Sequence, residues 1–134
     1  MNERTVVRVR DVMNDRYILV DGLETVGAAF AKLKSKEARC IIVEKRSDSD
    51  EYGIVLLSDI AKKVIAADRS PDRVNVYEIM SKPVVSVRPG MDIRYTARLF
   101  GQFGLAVAPV IEEDGIIGIV TYTDIVLLGM SLNG

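Results

Sequence analysis

The chain is written twice. Placing Asp11-Val12-Met13 on Glu78-Ile79-Met80 shifts the sequence against itself by 67 residues, and the match then runs without gaps for about thirty positions. Tyr17-Ile18-Leu19-Val20 falls on Val84-Val85-Ser86-Val87, Thr25-Val26 on Asp92-Ile93, and Ile41-Ile42-Val43 on Ala108-Pro109-Val110. The first copy has two extra residues in the polar loop Arg46 to Tyr52; beyond it Gly53-Ile54-Val55 meets Gly118-Ile119-Val120, and Ser58-Asp59-Ile60 meets Thr123-Asp124-Ile125. An internal period of this length marks a repeated supersecondary unit that cannot bury its apolar face alone. The whole chain, at 134 residues, has the size of one domain, so the copies are expected to share a core.

Each copy carries the same alternation of elements. A β-branched run (17–20, 84–87) predicts a strand, and Asp21-Gly22 or Pro89-Gly90 after it is turn chemistry. Thr25 and Asp92 sit where an N-cap belongs. Val26, Ala29, Phe30 and Leu33 then recur at helical spacing, as do Ile93, Thr96, Ala97 and Phe100, so one face of each helix should be buried. Residues 40–44 with 53–57, and 107–111 with 116–120, predict hairpin strands, the second pair joined by Glu112-Glu113-Asp114-Gly115. Ser58 and Thr123 are expected to cap a last helix, 59–67 and 124–130. The order per copy is β-α-β-β-α, a mixed α/β (α+β) fold: 1–67 forms the first repeat, 68–75 a polar, proline-containing linker, and 76–134 the second. The two sheets should pack face to face about a pseudo-twofold axis.

Composition closes off several kinds of function. Lys plus Arg (18) balances Asp plus Glu (19), which leaves no basic field for a nucleic-acid backbone. The lone cysteine, Cys40, lies in an apolar run and predicts a buried thiol in a reducing compartment. The N-terminus lacks the order of a signal peptide, and the apolar stretch 115–130 is broken by Thr121, Thr123 and Asp124, so neither export nor a membrane is expected and the cytoplasm fits best. There is no histidine, no Gly-x-Gly-x-x-Gly and no P-loop lysine motif, so general acid–base, metal and phosphate-loop chemistry all lack their usual groups. No enzyme is expected, and no cofactor is required.

The segment Gly118-Ile-Val-Thr121-Tyr-Thr-Asp124-Ile is a strand that enters a helix through a hydroxyl residue and an acid. A carboxylate can accept both hydroxyls of a ribose, while a hydroxyl three residues earlier and free helix N–H groups can receive a phosphate. The same residues would also serve as plain helix caps. Recurrence of the pattern at Ser58-Asp59 favours the ligand reading.

These residues resemble CBS domains, named for cystathionine beta-synthase, and the pair is similar to a Bateman module. The resemblance runs from Val9 to Met130 and is carried by Arg10-Asp-Val-Met13, Tyr77-Glu-Ile-Met80, Ala108-Pro-Val-Ile111, Gly53-Ile-Val-Leu-Leu-Ser-Asp59-Ile and Gly118-Ile-Val-Thr-Tyr-Thr-Asp124-Ile. It implies a non-catalytic regulatory module that binds AMP, ADP, ATP or S-adenosylmethionine and acts on a partner protein or through self-association, often as a homodimer joined by its helices. It also implies that Asp124 holds ribose, that Thr121 approaches ribose or phosphate, and that Asp59 matches the ribose position in the first copy; Thr123 and Ser58, each just before its acid, are counted with the site. Leu56 stands where a hydroxyl is expected, so unequal occupancy of the two clefts follows. Arg39 matches a phosphate-binding basic residue, with Ala106 in its place in the second copy; a solvated arginine is the other reading. Val84, Val85, Val107 and Pro109 match segments around the base, or simply pack the core. Few other cations are well placed (Lys82, Arg94 and Arg98 only roughly), which favours a monophosphate. The rival to this sensor is a ligand-free interaction or dimerisation module.

Overall fold

The computed structural model describes residues 5–82, 85–113 and 115–133. Its elements run α1 (Val9–Val12), β1 (Tyr17–Val20), α2 (Val26–Lys36), β2 (Cys40–Val43), β3 (Gly53–Leu56), α3 (Leu57–Ile60), α4 (Ile93–Phe103), β4 (Val107–Glu112), β5 (Gly115–Thr121) and α5 (Tyr122–Asn133). They fall into two compact units, one starting at Arg16, the other made of residues up to Asp15 with those from Val85 onward. Each unit is thus the body of one repeat closed by the opening segment of the other.

In the first unit β1, β2 and β3 form one sheet in that order. β1 and β2 are parallel, with Tyr17 opposite Cys40, and β2 and β3 are antiparallel, with Cys40 opposite Leu56. The central strand Cys-Ile-Ile-Val is buried along its length, as a strand covered on both faces must be. α2 provides the crossover between the parallel pair. Thr25 Oγ1 accepts from Ala28 N at 3.1 Å, and Val26, Ala29 and Leu33 are buried. Phe30 is 47% exposed, so the apolar stripe is narrower than its spacing predicts. The last helix begins at Leu57 and continues past Ile60 as a π turn over Ala61–Ile65.

Residues 68–75 do more than connect. After a 3₁₀ turn at Pro71–Arg73, Val26 N donates to Val74 O and Val76 N to Glu24 O, both at 2.8 Å. Val74, Val76 and Ile79 are at most 1% exposed and belong to this unit's core. Each such buried side chain is worth about 1.5–3 kcal/mol, which is why the segment lies down on the unit.

In the second unit β4 and β5 pair antiparallel, and α1 packs with Phe100 of α4 and Ile125 of α5 in one core. Asp92 caps α4, its Oδ1 accepting from Arg94 N at 2.8 Å. Phe100 meets the Tyr122 ring edge-on, centroids 5.1 Å apart, which seats the start of α5. The strand expected at 84–87 is absent over its described part: Val84 lies outside the described residues, and Val87 makes a single parallel bridge to Val110. Val87 N donates to Pro109 O at 3.0 Å and Ile111 N to Val87 O at 2.9 Å. The next rung of a parallel ladder would run from the N–H of residue 109 to Val85 O, and proline has none to give. Ile42 holds the matching place in the first unit, where the parallel strand is complete.

The repeated glycines have a steric reason. Asn14 pairs with Ile119 through two backbone hydrogen bonds of 2.9 Å, and Ser81 pairs with Ile54 at 3.0 and 3.3 Å. A Cβ on Gly118 would come within 3.1 Å of Asn14 O, and one on Gly53 within 2.7 Å of Met80 Sδ. Each unit thereby admits its closing segment alongside a strand.

Candidate functional site

The helices that follow the last strand of each repeat start two residues before the predicted acids, so Ser58 and Thr123 do not cap them. Both sit exposed at the second helical position. In α5 the cap is Thr121, whose Oγ1 accepts from Asp124 N at 3.1 Å. Asp124, at the third helical position, reaches back: its Oδ2 accepts from Thr121 N at 3.1 Å and from Thr121 Oγ1 at 2.8 Å. This is the reciprocal cap of a helix start, with aspartate as the returning acid. A third donor comes from the opposite end of the chain, since Asn14 Nδ2 reaches the same Oδ2 at 2.7 Å. Oδ1 has no hydrogen bond among the described residues.

The second unit's other expected contacts gather at this end of the sheet. Val107 is directly opposite Thr121 and Pro109 opposite Ile119; Val107 is half-buried and Pro109 buried. Val85 precedes the bridge at Val87 and is half-buried. Val84 lies outside the described residues. A short apolar wall therefore leads up to the carboxylate.

In the first unit Asp59 occupies the matching position with fewer partners. Its Oδ2 accepts from Leu56 N at 2.8 Å, and Lys63 Nζ stands 3.8 Å from Oδ1. Leu56 offers no side-chain hydroxyl, as its sequence predicts. Arg39 is exposed and precedes Cys40, which pairs with Leu56, so the arginine and Asp59 lie at one end of this sheet. The other cations are engaged elsewhere: Lys82 Nζ with Asp50 Oδ2 at 2.7 Å, Arg94 with Asp92 at 2.6 Å, and Arg98 over the Tyr95 ring at 5.3 Å. Hydrogen bonds from the Arg94 side chain and backbone lower the Asp92 carboxyl to about 2. The Lys82 ammonium, with the Arg46 N–H, holds Asp50 well below the usual carboxylate range.

An 820 Å³ cavity lies in the first unit, lined by Leu23, Val43, Lys45, Arg46, Tyr77 and Met80 among others. Val43 pairs with Gly53 at the end of β2 away from Leu56, so this cavity is at the opposite end of the sheet from Asp59. The capped carboxylates lie at the other end, and they carry the more specific chemistry. Among the described residues no cluster of metal-ligating side chains occurs, and no helix is long and apolar enough to cross a membrane.

Asn14 escaped the sequence reading because its contact spans 110 residues. The available signal was its position directly after the matched Met13, with Ser81 after Met80 in the other copy.

Two α/β units, each with an acid three residues beyond its last strand, define a tandem repeat protein built around paired strand-to-helix turns. The CBS domain family matches residues 9–66 and 76–130, and the chain belongs to that family as a tandem pair. Among solved structures, the hexameric CBS-CP12 protein from bloom-forming cyanobacteria is 39% identical, with a TM-score of 0.86 over 91% of this chain and 70% of that one. A CBS domain pair in complex with 5′-methylthioadenosine and S-adenosyl-L-methionine is 20% identical and alike in fold, with a TM-score of 0.79 over 96% of this chain and 99% of that one. An uncharacterised protein of Methanopyrus kandleri is 28% identical over 120 residues; the match takes in 89% of this chain and 61% of that protein's length.

Proposed function

We propose that the chain is a regulatory module without catalytic activity that binds an adenine nucleotide of the AMP type at Asp124 and passes the signal to a partner protein or to its own self-association. The observation that carries this reading is the Asp124 carboxylate: it sits in the first turn of α5, directly after the strand that pairs with Val107 and Pro109, and its Oδ1 has no hydrogen bond among the described residues. The bound adenosine compounds of a protein alike in fold support the ligand class. Thr121 serves the carboxylate as its cap, Thr123 faces the phosphate, and Val85, Val107 and Pro109 flank the base. Asp59, Ser58 and Arg39 form the matching cleft of the first unit, with ADP, ATP or S-adenosylmethionine as alternative ligands. With Lys82, Arg94 and Arg98 already paired, a monophosphate is favoured over ATP. The lone buried thiol fits a reducing cytoplasm.

Self-association as the output is supported by α5, which leaves Val126, Leu127, Leu128, Met130 and Leu132 exposed, and by the hexameric state of the cyanobacterial relative. The same face favours the second reading, a ligand-free interaction module. Thermal-shift titration separates the two. A ligand that binds only the folded state stabilises it by RT ln(1 + [L]/Kd), about 2.7 kcal/mol at 100-fold excess over Kd. AMP is expected to raise Tm, and Asp124→Ala to remove most of that rise; no shift with any adenine compound at millimolar concentration transfers the function to the interaction module.

A further inference from the structure

The two candidate carboxylates are equivalent in sequence and unequal in their surroundings. Oδ2 of Asp124 has three donors, Asn14 Nδ2 at 2.7 Å, Thr121 Oγ1 at 2.8 Å and Thr121 N at 3.1 Å. A carboxylate oxygen offers about two lone-pair directions; the Thr121 hydroxyl can turn its proton to a ligand while still accepting from Asp124 N, so Thr121 N and Asn14 Nδ2 are the two fixed donors that fill this one. Asn14 is also hard to displace. Its backbone is bonded to Ile119 in both directions at 2.9 Å, which returns its amide to the same place at little entropic cost. In the first unit the equivalent residue is Ser81, whose backbone pairs with Ile54. There the only hydrogen bond to the Asp59 carboxylate among the described residues comes from Leu56 N.

Resting on the reading that Asp124 faces a ribose, we infer that Asn14 is a positioning residue that sets the selectivity of this cleft: it holds Oδ2, so that Oδ1 alone receives a ligand hydroxyl. A bare carboxylate chelates both hydroxyls of a ribose and rejects a sugar that lacks one. The Asp124 cleft takes one hydroxyl and therefore accepts adenine nucleotides with a single free ribose hydroxyl nearly as well as those with the full diol. The side chain acts through Asp124 and makes no contact with the ligand itself.

Calorimetric titration of the full chain tests this, with Asp59→Ala in place to silence the other candidate cleft. AMP, 2′-deoxy-AMP and 3′-deoxy-AMP are the probes. With Asn14 present, the better of the two deoxy compounds is expected to bind within about threefold of AMP. Asn14→Ser copies the residue found at position 81 and frees Oδ2 for the second hydroxyl, so the gap should widen to about tenfold, the value of one further charge-assisted hydrogen bond. A merely structural role for Asn14 would weaken all three ligands alike. The inference is overturned if both deoxy compounds already fall about tenfold with Asn14 present, or if Asn14→Ser leaves the ratio unchanged. The side-chain amide resonances of Asn14, compared between the ligand-free chain and Asp124→Ala, report the contact without any nucleotide. Unmoved resonances alongside intact AMP binding defeat this inference alone; shifted resonances in a chain that binds no adenine nucleotide defeat the proposed function, and the selectivity with it.

Discussion

At Asp124 a helix cap and a ligand contact draw on one carboxylate. The cap uses Oδ2, through Thr121 N and Oγ1, and leaves Oδ1 without a hydrogen bond among the described residues, so in the proposed function the two demands are divided between two oxygens of the same side chain. Asp59 caps its helix through Leu56 N alone. A different residue shows what burial does to an ionisable group: Cys40 is 2% exposed in the central strand, and desolvation pushes its thiol up to about 12 from an ordinary 9.0. Below pH 9 the folded and unfolded thiols both keep their proton. Between about 9 and 12 the unfolded chain releases it while the folded chain does not, so stability falls as pH rises, by up to about 1.4 kcal/mol per unit. Urea midpoints at about pH 8 and about pH 10 are expected to drop more for the native chain than for Cys40→Ala; equal drops would show the folded thiol ionising freely. The acids Asp59 and Asp124 and the buried character of Cys40 were legible because each depends on local sequence. Asn14 was not, since only the fold brings it to Asp124.

Among the elements, helix ends differ between the copies in a way that affects stability. α2 ends at Glu37 with φ 59°, and α4 at Gly104 with φ 65°, positions matched by the 67-residue register. A left-handed residue with a Cβ costs about 1–2 kcal/mol that glycine avoids. Glu37→Gly is therefore expected to stabilise the chain by about 1 kcal/mol, read as a higher urea midpoint at unchanged slope; a lower midpoint would mean that the Glu37 side chain contributes more than its backbone strain costs. Strands β2 and β3 and the helices α2 and α4 were legible from periodicity and caps. The first strand of the second repeat was not, because pattern ranks Val84 to Val87 as β-formers while Pro109 on the neighbouring strand lacks the donor they need. The late placement of the final caps has a similar cause: Ser and Thr at 58 and 123 look like N-caps in isolation, but an aspartate at the third helical position serves the cap equally well one turn away.

For the whole molecule, the duplication foretold the recurring α/β elements and the family that contains them, while the single shared core expected from chain length is replaced by one buried cluster within each unit. It did not foretell that residues 5–15 would close the unit carrying the second repeat, or that residues 71–82 would close the unit carrying the first. That exchange depends on Val74, Val76 and Ile79, apolar residues spaced among polar ones, and on the bare Cα of Gly53 and Gly118 that lets the incoming segment lie against a strand. The same exchange delivers Asn14 to the carboxylate of the other repeat, so the arrangement of segments and the selectivity inferred for the cleft have one origin. The central claim is that this carboxylate, and not the cavity beside Lys45 and Arg46, receives the nucleotide. A crystal structure of the full chain with AMP tests it most directly: the account predicts a ribose hydroxyl on Asp124 Oδ1 with the base along Val107 and Pro109, whereas AMP seated in the 820 Å³ cavity against Lys45 and Arg46, with Asp124 untouched, would contradict it.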